Sequence, residues 1–196
     1  MTFHEIFNAE QLFLEKTKEI LVSFQDNPSE ELLDSISFNK MKECAVGLVF
    51  CSFASEALLN KLLKTQSEDI FRDHNRESVK EKIEYFKRAY SIPVDFGQTP
   101  WNYLIELKDA RNWLAHHKYP EPGLLGSKGY VYSIDATGRP GNTEPEFSPA
   151  KTLTVYRLEK YYNAVLLGMR TIAEAAERQD EFAFLWSEKY EPFLYG

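Results

Sequence analysis

At 196 residues the chain fits one domain with room for a substantial core. A hydrophobic share of 43% with only 9 Gly and 9 Pro excludes a disordered or collagen-like chain. A formal charge of −7 and a pI near 5.2 exclude a generally basic surface, so any nucleic-acid contact must be local.

Residues 3–25 place Phe3, Ile6, Phe7, Leu12, Phe13, Ile20, Leu21 and Phe24 at helical spacing against Glu10, Glu15, Lys18 and Glu19, which predicts an amphipathic helix. It ends before Asp26-Asn27-Pro28, and Pro28 opens a short helical turn over 28–36. From Asn39 to about Lys64 runs the most apolar helix, with Cys44, Leu48, Val49, Phe53, Leu59 and Leu62. Its expected inner face, Ala45, Val49, Ser52, Phe53, Asn60 and Leu63, also carries Glu56. Cys44 and Cys51 stand about 10 Å apart along this helix, too far for a disulfide, and two free thiols suit a reducing cytoplasm. The start Met1-Thr2-Phe3-His4-Glu5 lacks a signal-peptide pattern, and no run approaches 18 uninterrupted apolar residues, so no membrane partner is expected.

Residues 76–90 predict a charged surface helix with a narrow stripe of Val79, Ile83 and Phe86, preceded by a loop histidine, His74. Charge is uneven along the chain: residues 1–60 hold ten acids against four bases, and residues 61–90 eight bases against six acids. Thr99-Pro100-Trp101 predicts a helix start, with Thr as cap and Pro at the first helical position, and the helix runs to about His117. On it Leu104, Leu107, Arg111 and Leu114 share one face, so a guanidinium takes the place of a leucine. Asp109, Asn112 and His116 share another. An arginine cannot shed its charge when buried, so Arg111 needs a carboxylate, a phosphate or an open cleft to meet it. Glu56 is the expected carboxylate, since two opposite charges on packed faces are tolerable only as a pair. A purely structural clamp satisfies the same requirement, and helix-end histidines are favoured by the dipole alone.

Residues 120–152 change character, with Pro120, Pro122, Gly123, Gly126, Gly129, Gly138, Pro140 and Gly141. Within this insertion Tyr130-Val131-Tyr132-Ser133-Ile134 alternates as a strand, and Thr152-Leu153-Thr154-Val155 is its expected partner in a two-stranded ribbon. A helix follows from Arg157 to about Arg178, then an aromatic tail at about 180–196, which must pack on the core or on a partner. The expected architecture is a single all-α domain over 1–196, an antiparallel bundle of about five helices with a small β insertion.

Arg111-Asn112 followed by His116 resembles the signature of the HEPN domains, small all-helical modules marked by an Arg, usually a polar neighbour, four to six further residues in all, and a His. His117 satisfies the same spacing; His116 is preferred because it shares a face with Asn112. Helical context adds to the likeness, with Glu56-Ala57-Leu58-Leu59-Asn60 on a long apolar helix upstream and another long helix downstream. It covers residues 1–118 and 152–178.

The resemblance implies a metal-independent ribonuclease acting on single-stranded RNA at a cleft between two copies, with no cofactor. It implies His116 as the acid–base group, Arg111 as the stabiliser of phosphorane charge and Asn112 as an orienting group. Glu56, Asp109 and His117 would support them, and Lys108 and Lys118, with Arg139 or Lys151 behind, would meet phosphate. A toxin or defence role with an antitoxin or other protein partner belongs to the same expectation. The competing expectation is a non-catalytic HEPN-like module that binds RNA, a nucleotide or a protein. A metal site is disfavoured, because adjacent histidines on a helix diverge by about 100° and no zinc-ligand spacing recurs.

Overall fold

A 32-residue helix organises the molecule, because residues on nearly every side of it are buried. The structure is a computed structural model that describes residues 8–26, 35–116 and 153–193. Its helices are α1 (Ala9–Asp26), α2 (Ser35–Gln66), α3 (Glu68–His74), α4 (Val79–Tyr90), α5 (Trp101–His116) and α6 (Val155–Ala175), followed by 3-10 turns at Asp180–Trp186 and Glu188–Tyr190. All five of the other α-helices pack against α2. Lys61 of α2 meets Glu10 of α1, while Thr17 reaches the Gly47 carbonyl, so these two helices run antiparallel. Glu106 of α5 meets Arg157 and Tyr161, while Leu104 lies against Gly168, so α5 and α6 are antiparallel too.

Leu48, Leu58 and Leu62 from α2, Ile83 and Phe86 from α4, Leu107 from α5 and Val165 and Met169 from α6 form the centre of one continuous core. Two glycines let helices approach closely. A Cβ on Gly47 would lie 2.6 Å from Leu158 Cδ2, and one on Gly168 would lie 2.7 Å from Leu104 Cδ1. By length and mean hydropathy, Lys40–Gln66 of α2 is apolar enough to cross a membrane, yet more than half of its most apolar window is buried among the other helices. That burial is the pattern of a core helix.

The all-α class holds, but the β insertion does not. Among the described residues there is no strand, and Val155 is the first residue of α6. The Thr154 hydroxyl accepts from the Arg157 amide at 3.2 Å, so this threonine is a helix N-cap rather than a strand residue. An alternating Thr-Leu-Thr-Val run carries both signals, and burial of Leu158 and Tyr161 one turn later favours the helix. The other half of the expected ribbon, 130–134, lies outside the described residues, as does most of the turn expected at 28–36.

Other differences are local. Helix α5 begins at Trp101, after a cis Thr99–Pro100 peptide, so Pro100 precedes the helix instead of opening it. The short α3 was not expected. Ser67 caps it through the Ile70 amide, Glu68 and Asp69 sit in its first turn, and Arg72 and His74 in its last, each charge matched to the dipole. His74 thus ends a helix, with Nδ1 2.9 Å from Glu77 and its ring against Tyr85. Ser78 and Glu81 form a reciprocal capping box that starts α4.

The aromatic tail packs on the core. Phe182 and Leu185 are fully buried, and Lys61 lies over the Phe182 and Phe184 rings, 5.3 and 5.8 Å from their centroids. Arg170 donates from Nε to the Leu185 carbonyl at 2.8 Å and from Nη2 to that of Tyr190 at 3.1 Å. The Asn163 side chain exchanges two hydrogen bonds with the Phe193 backbone, at 2.8 and 2.9 Å. Tyr190 donates to Glu15 at 2.8 Å, closing the tail onto α1.

Both cysteines are free and buried. Burial pushes the Cys44 thiol up to about 12 and raises that of Cys51 as well, so neither is nucleophilic near neutrality. Burial likewise raises the phenols of Tyr161, Tyr162 and Tyr190. A raised folded-state value gives stability that is complete below the unfolded value and is lost as pH rises past it. Thermal melts followed by circular dichroism should therefore hold constant from pH 7 to about 8.5 and fall above the ordinary thiol value of 9.0, more steeply above 10.0. Arg170→Ala removes the ties to two tail carbonyls and should cost about 2 kcal/mol in urea unfolding, with early proteolysis of the tail.

Candidate functional site

On α5, Leu104 and Leu107 are fully buried, and one turn further the same face carries Arg111. There α5 leaves the centre of the bundle, so the Arg111 side chain is 26% exposed instead of sealed. Glu56 faces it from α2, and Arg111 Nη2 donates to Glu56 Oε1 at 2.5 Å. The Glu56 side chain is 35% exposed, so water screens the pair from one side. This is a single charge-assisted bond and not the two-pronged grip that a guanidinium and a carboxylate can form. Arg111 Nε is buried without a partner, and Nη1 makes no hydrogen bond among the described residues. One turn before Glu56, the buried Ser52 hydroxyl also has no partner among the described residues. Buried polar groups of this kind are rare and call for an explanation.

The pair has a second cation beside it. Lys82 of α4 is only 4% exposed, and its Nζ donates to Asn60 Oδ1 at 2.7 Å and to the Asn75 carbonyl at 2.9 Å. Asn60 lies one helical turn after Glu56. Burial lowers the Lys82 ammonium below its ordinary value, and the nearby Glu56 and Glu77 carboxylates work in the opposite direction. Two cations from α4 and α5 thus converge on one turn of α2. Between α5 and α6 stands a further cluster, in which Tyr161 donates to Glu106 at 2.8 Å and Arg157 approaches the same carboxylate at 3.0 Å.

Of the expected site residues, the structure brings Arg111 and Glu56 together. Asn112 follows on the adjoining face, and no hydrogen bond from its amide is seen among the described residues. Lys108 and Asp109 pair with each other at 3.2 Å, both half exposed, and Lys108 also lies near the Glu81 carboxylate. His116 is the last residue of α5, while His117, Lys118, Arg139 and Lys151 lie outside the described residues. Among the described residues no cluster of three or more His, Cys, Asp or Glu could hold a metal ion.

Three further participants are not among the residues expected from the sequence. Lys82 belongs to the helix expected at the surface, yet Val79, Lys82, Ile83 and Phe86 share one helical stripe and all four are buried. Glu106 and Tyr161 gave no signal, because their partnership joins residues 55 apart in sequence. Two shallow grooves of about 380 and 420 Å³ run along α1, lined by Glu15, Lys18 and Tyr190 and by Ile20, Lys42 and Val46, and neither includes Arg111.

No protein-family model, no curated protein and no solved structure matches the chain.

Glu56→Ala leaves a half-buried guanidinium without its carboxylate and should lower stability by about 1 kcal/mol, read as a lower urea midpoint at unchanged slope. Arg111→Met combined with Glu56→Ala should cost less than the two singles summed, since the stranded charge is gone.

Proposed function

We propose that the protein is a HEPN-like, metal-independent endoribonuclease that cuts single-stranded RNA, with Arg111, Asn112 and His116 as its working residues. What supports this most is the half-committed guanidinium. Among the described residues Arg111 spends one N–H bond on Glu56, keeps Nη1 free and reaches the surface next to Asn112, whose amide makes no hydrogen bond there. A guanidinium so placed has donors left for a phosphate. In the mechanism His116 takes the proton of a ribose 2′-hydroxyl, whose oxygen attacks the adjacent phosphorus. The 5′-oxygen of the next nucleotide leaves as the imidazolium so formed returns a proton to it, giving a 2′,3′-cyclic phosphate and a 5′-hydroxyl. Arg111 stabilises the charge that builds on the phosphorane oxygens. The cleft forms between two copies whose α5 ends face each other, and a protein partner restrains the activity in the cytoplasm.

A second reading is favoured by the Glu56–Arg111 bond itself, which closes within one chain and neutralises the charge that phosphate would need. Under it the domain is an interaction module and the pair is a clamp.

The two part in one assay. Wild-type protein, Arg111→Ala, His116→Ala and His117→Ala are incubated with mixed-sequence RNA in EDTA, and ends are analysed for 2′,3′-cyclic phosphate. The nuclease predicts cyclic ends, a loss of about 10²-fold or more for His116→Ala and Arg111→Ala, and near-wild-type cleavage by His117→Ala. Equal, negligible cleavage by wild type and His116→Ala supports the interaction module instead.

A further inference from the structure

We propose that Lys82 is a positioning residue for Arg111, drawing the Glu56 carboxylate from the α4 side and so limiting it to a single bond with the guanidinium. Three observations carry this. The Lys82 ammonium is buried and, among the described residues, held by neutral oxygens alone, those of Asn60 and Asn75, so its countercharge comes from further off. Glu56 stands one helical turn before Asn60 on α2, and it and Glu77, which is engaged by His74, are the carboxylates that act on this ammonium. Glu56 meets Arg111 through one oxygen although the fork geometry of the guanidinium favours two. A carboxylate pulled by two cations on different helices cannot settle fully on either. Lys82 therefore sets how much of Arg111 remains available, without touching it.

The value of that availability for RNA rests on the ribonuclease reading; the coupling through Glu56 does not. The test is ¹⁵N NMR of the Arg111 guanidinium, assigned with Arg111→Lys, in wild type, Lys82→Met and Lys82→Arg. In parallel, binding of a single-stranded oligoribonucleotide is measured in EDTA at low salt. In Lys82→Met, Glu56 should close on Arg111 with both oxygens, slowing exchange between the two Nη groups severalfold and weakening RNA binding by about tenfold. Lys82→Arg should restore both. Should Lys82→Met fail to fold, Asn60→Asp gives Lys82 a carboxylate of its own and should slow the same exchange. Unchanged Arg111 signals in a folded Lys82→Met or Asn60→Asp protein overturn the proposal. Slowed exchange in a protein whose wild type neither binds nor cuts RNA supports the role of Lys82 and removes the ribonuclease.

Discussion

A carboxylate on α2 and a guanidinium on α5 occupy positions that a hydrophobic core would give to leucines, and the end of the bundle is arranged around keeping them together. Each is partly withdrawn from water, and the cost of that withdrawal is offset by the opposite charge of the other. Their meeting fixes the register of α5 on α2, because a slide of one residue would carry Arg111 about 100° away from its partner. It also fixes where α4 can lie, since Lys82 must keep its two oxygens. Three helices are thus indexed against one another by polar contacts while leucines and aromatics supply the bulk of the burial. Apolar packing tolerates small sliding, whereas a 2.5 Å charge-assisted bond does not.

The same device recurs away from the motif. Lys61 of α2 is held by Glu10 of α1 and covered by two tail rings, so one cation joins three segments distant in sequence. Arg170 collects tail carbonyls, and Glu106 collects Tyr161 and Arg157. Each cluster combines a long amphipathic side chain, whose stem packs on apolar neighbours, with acceptors from another element. Among the described residues, the Arg111 cluster leaves donors unfilled, on Nε and on the Ser52 hydroxyl one turn before Glu56. The buried Tyr162 hydroxyl is the other such case among the described residues, so open donors are not confined to this end of the bundle.

Helical spacing alone reveals α1, α2, α5 and α6, because each carries apolar residues over several turns. The pairing of Arg111 with Glu56 was legible for a simple reason. Two opposite charges on two packed faces of a chain that must bury both have few other solutions. The details of α2 were less so. Phe53 was expected inside, yet it is 40% exposed and rests against Phe13, with Phe50 beside it. A helix apolar on all sides has no phase from which to read its inner face. Thr154 misled for a related reason, since a β-branched residue with a hydroxyl serves equally as strand or cap, and only the helix after it decides. Lys82 gives little signal because lysines are mostly exposed, and its place on the buried stripe is tolerable only because Asn60 and Asn75 receive it.

Net charge constrains what the site can do under the ribonuclease reading. A chain of charge −7 repels a polyanion at long range, so association cannot rely on steering and must come from a few short contacts. Lys108, the described lysine nearest Arg111 in sequence, is engaged by Asp109, and Arg157 by Glu106, which leaves the phosphate contact concentrated on Arg111. Affinity built on so few phosphates depends weakly on salt and discriminates poorly among sequences. It suits a flexible single strand, which can bend one phosphodiester toward a guanidinium without bringing its neighbours, better than a duplex, whose charge arrives as a rigid row. The acidic surface then acts as a filter, admitting RNA where a single linkage can be presented and turning away long helical stretches.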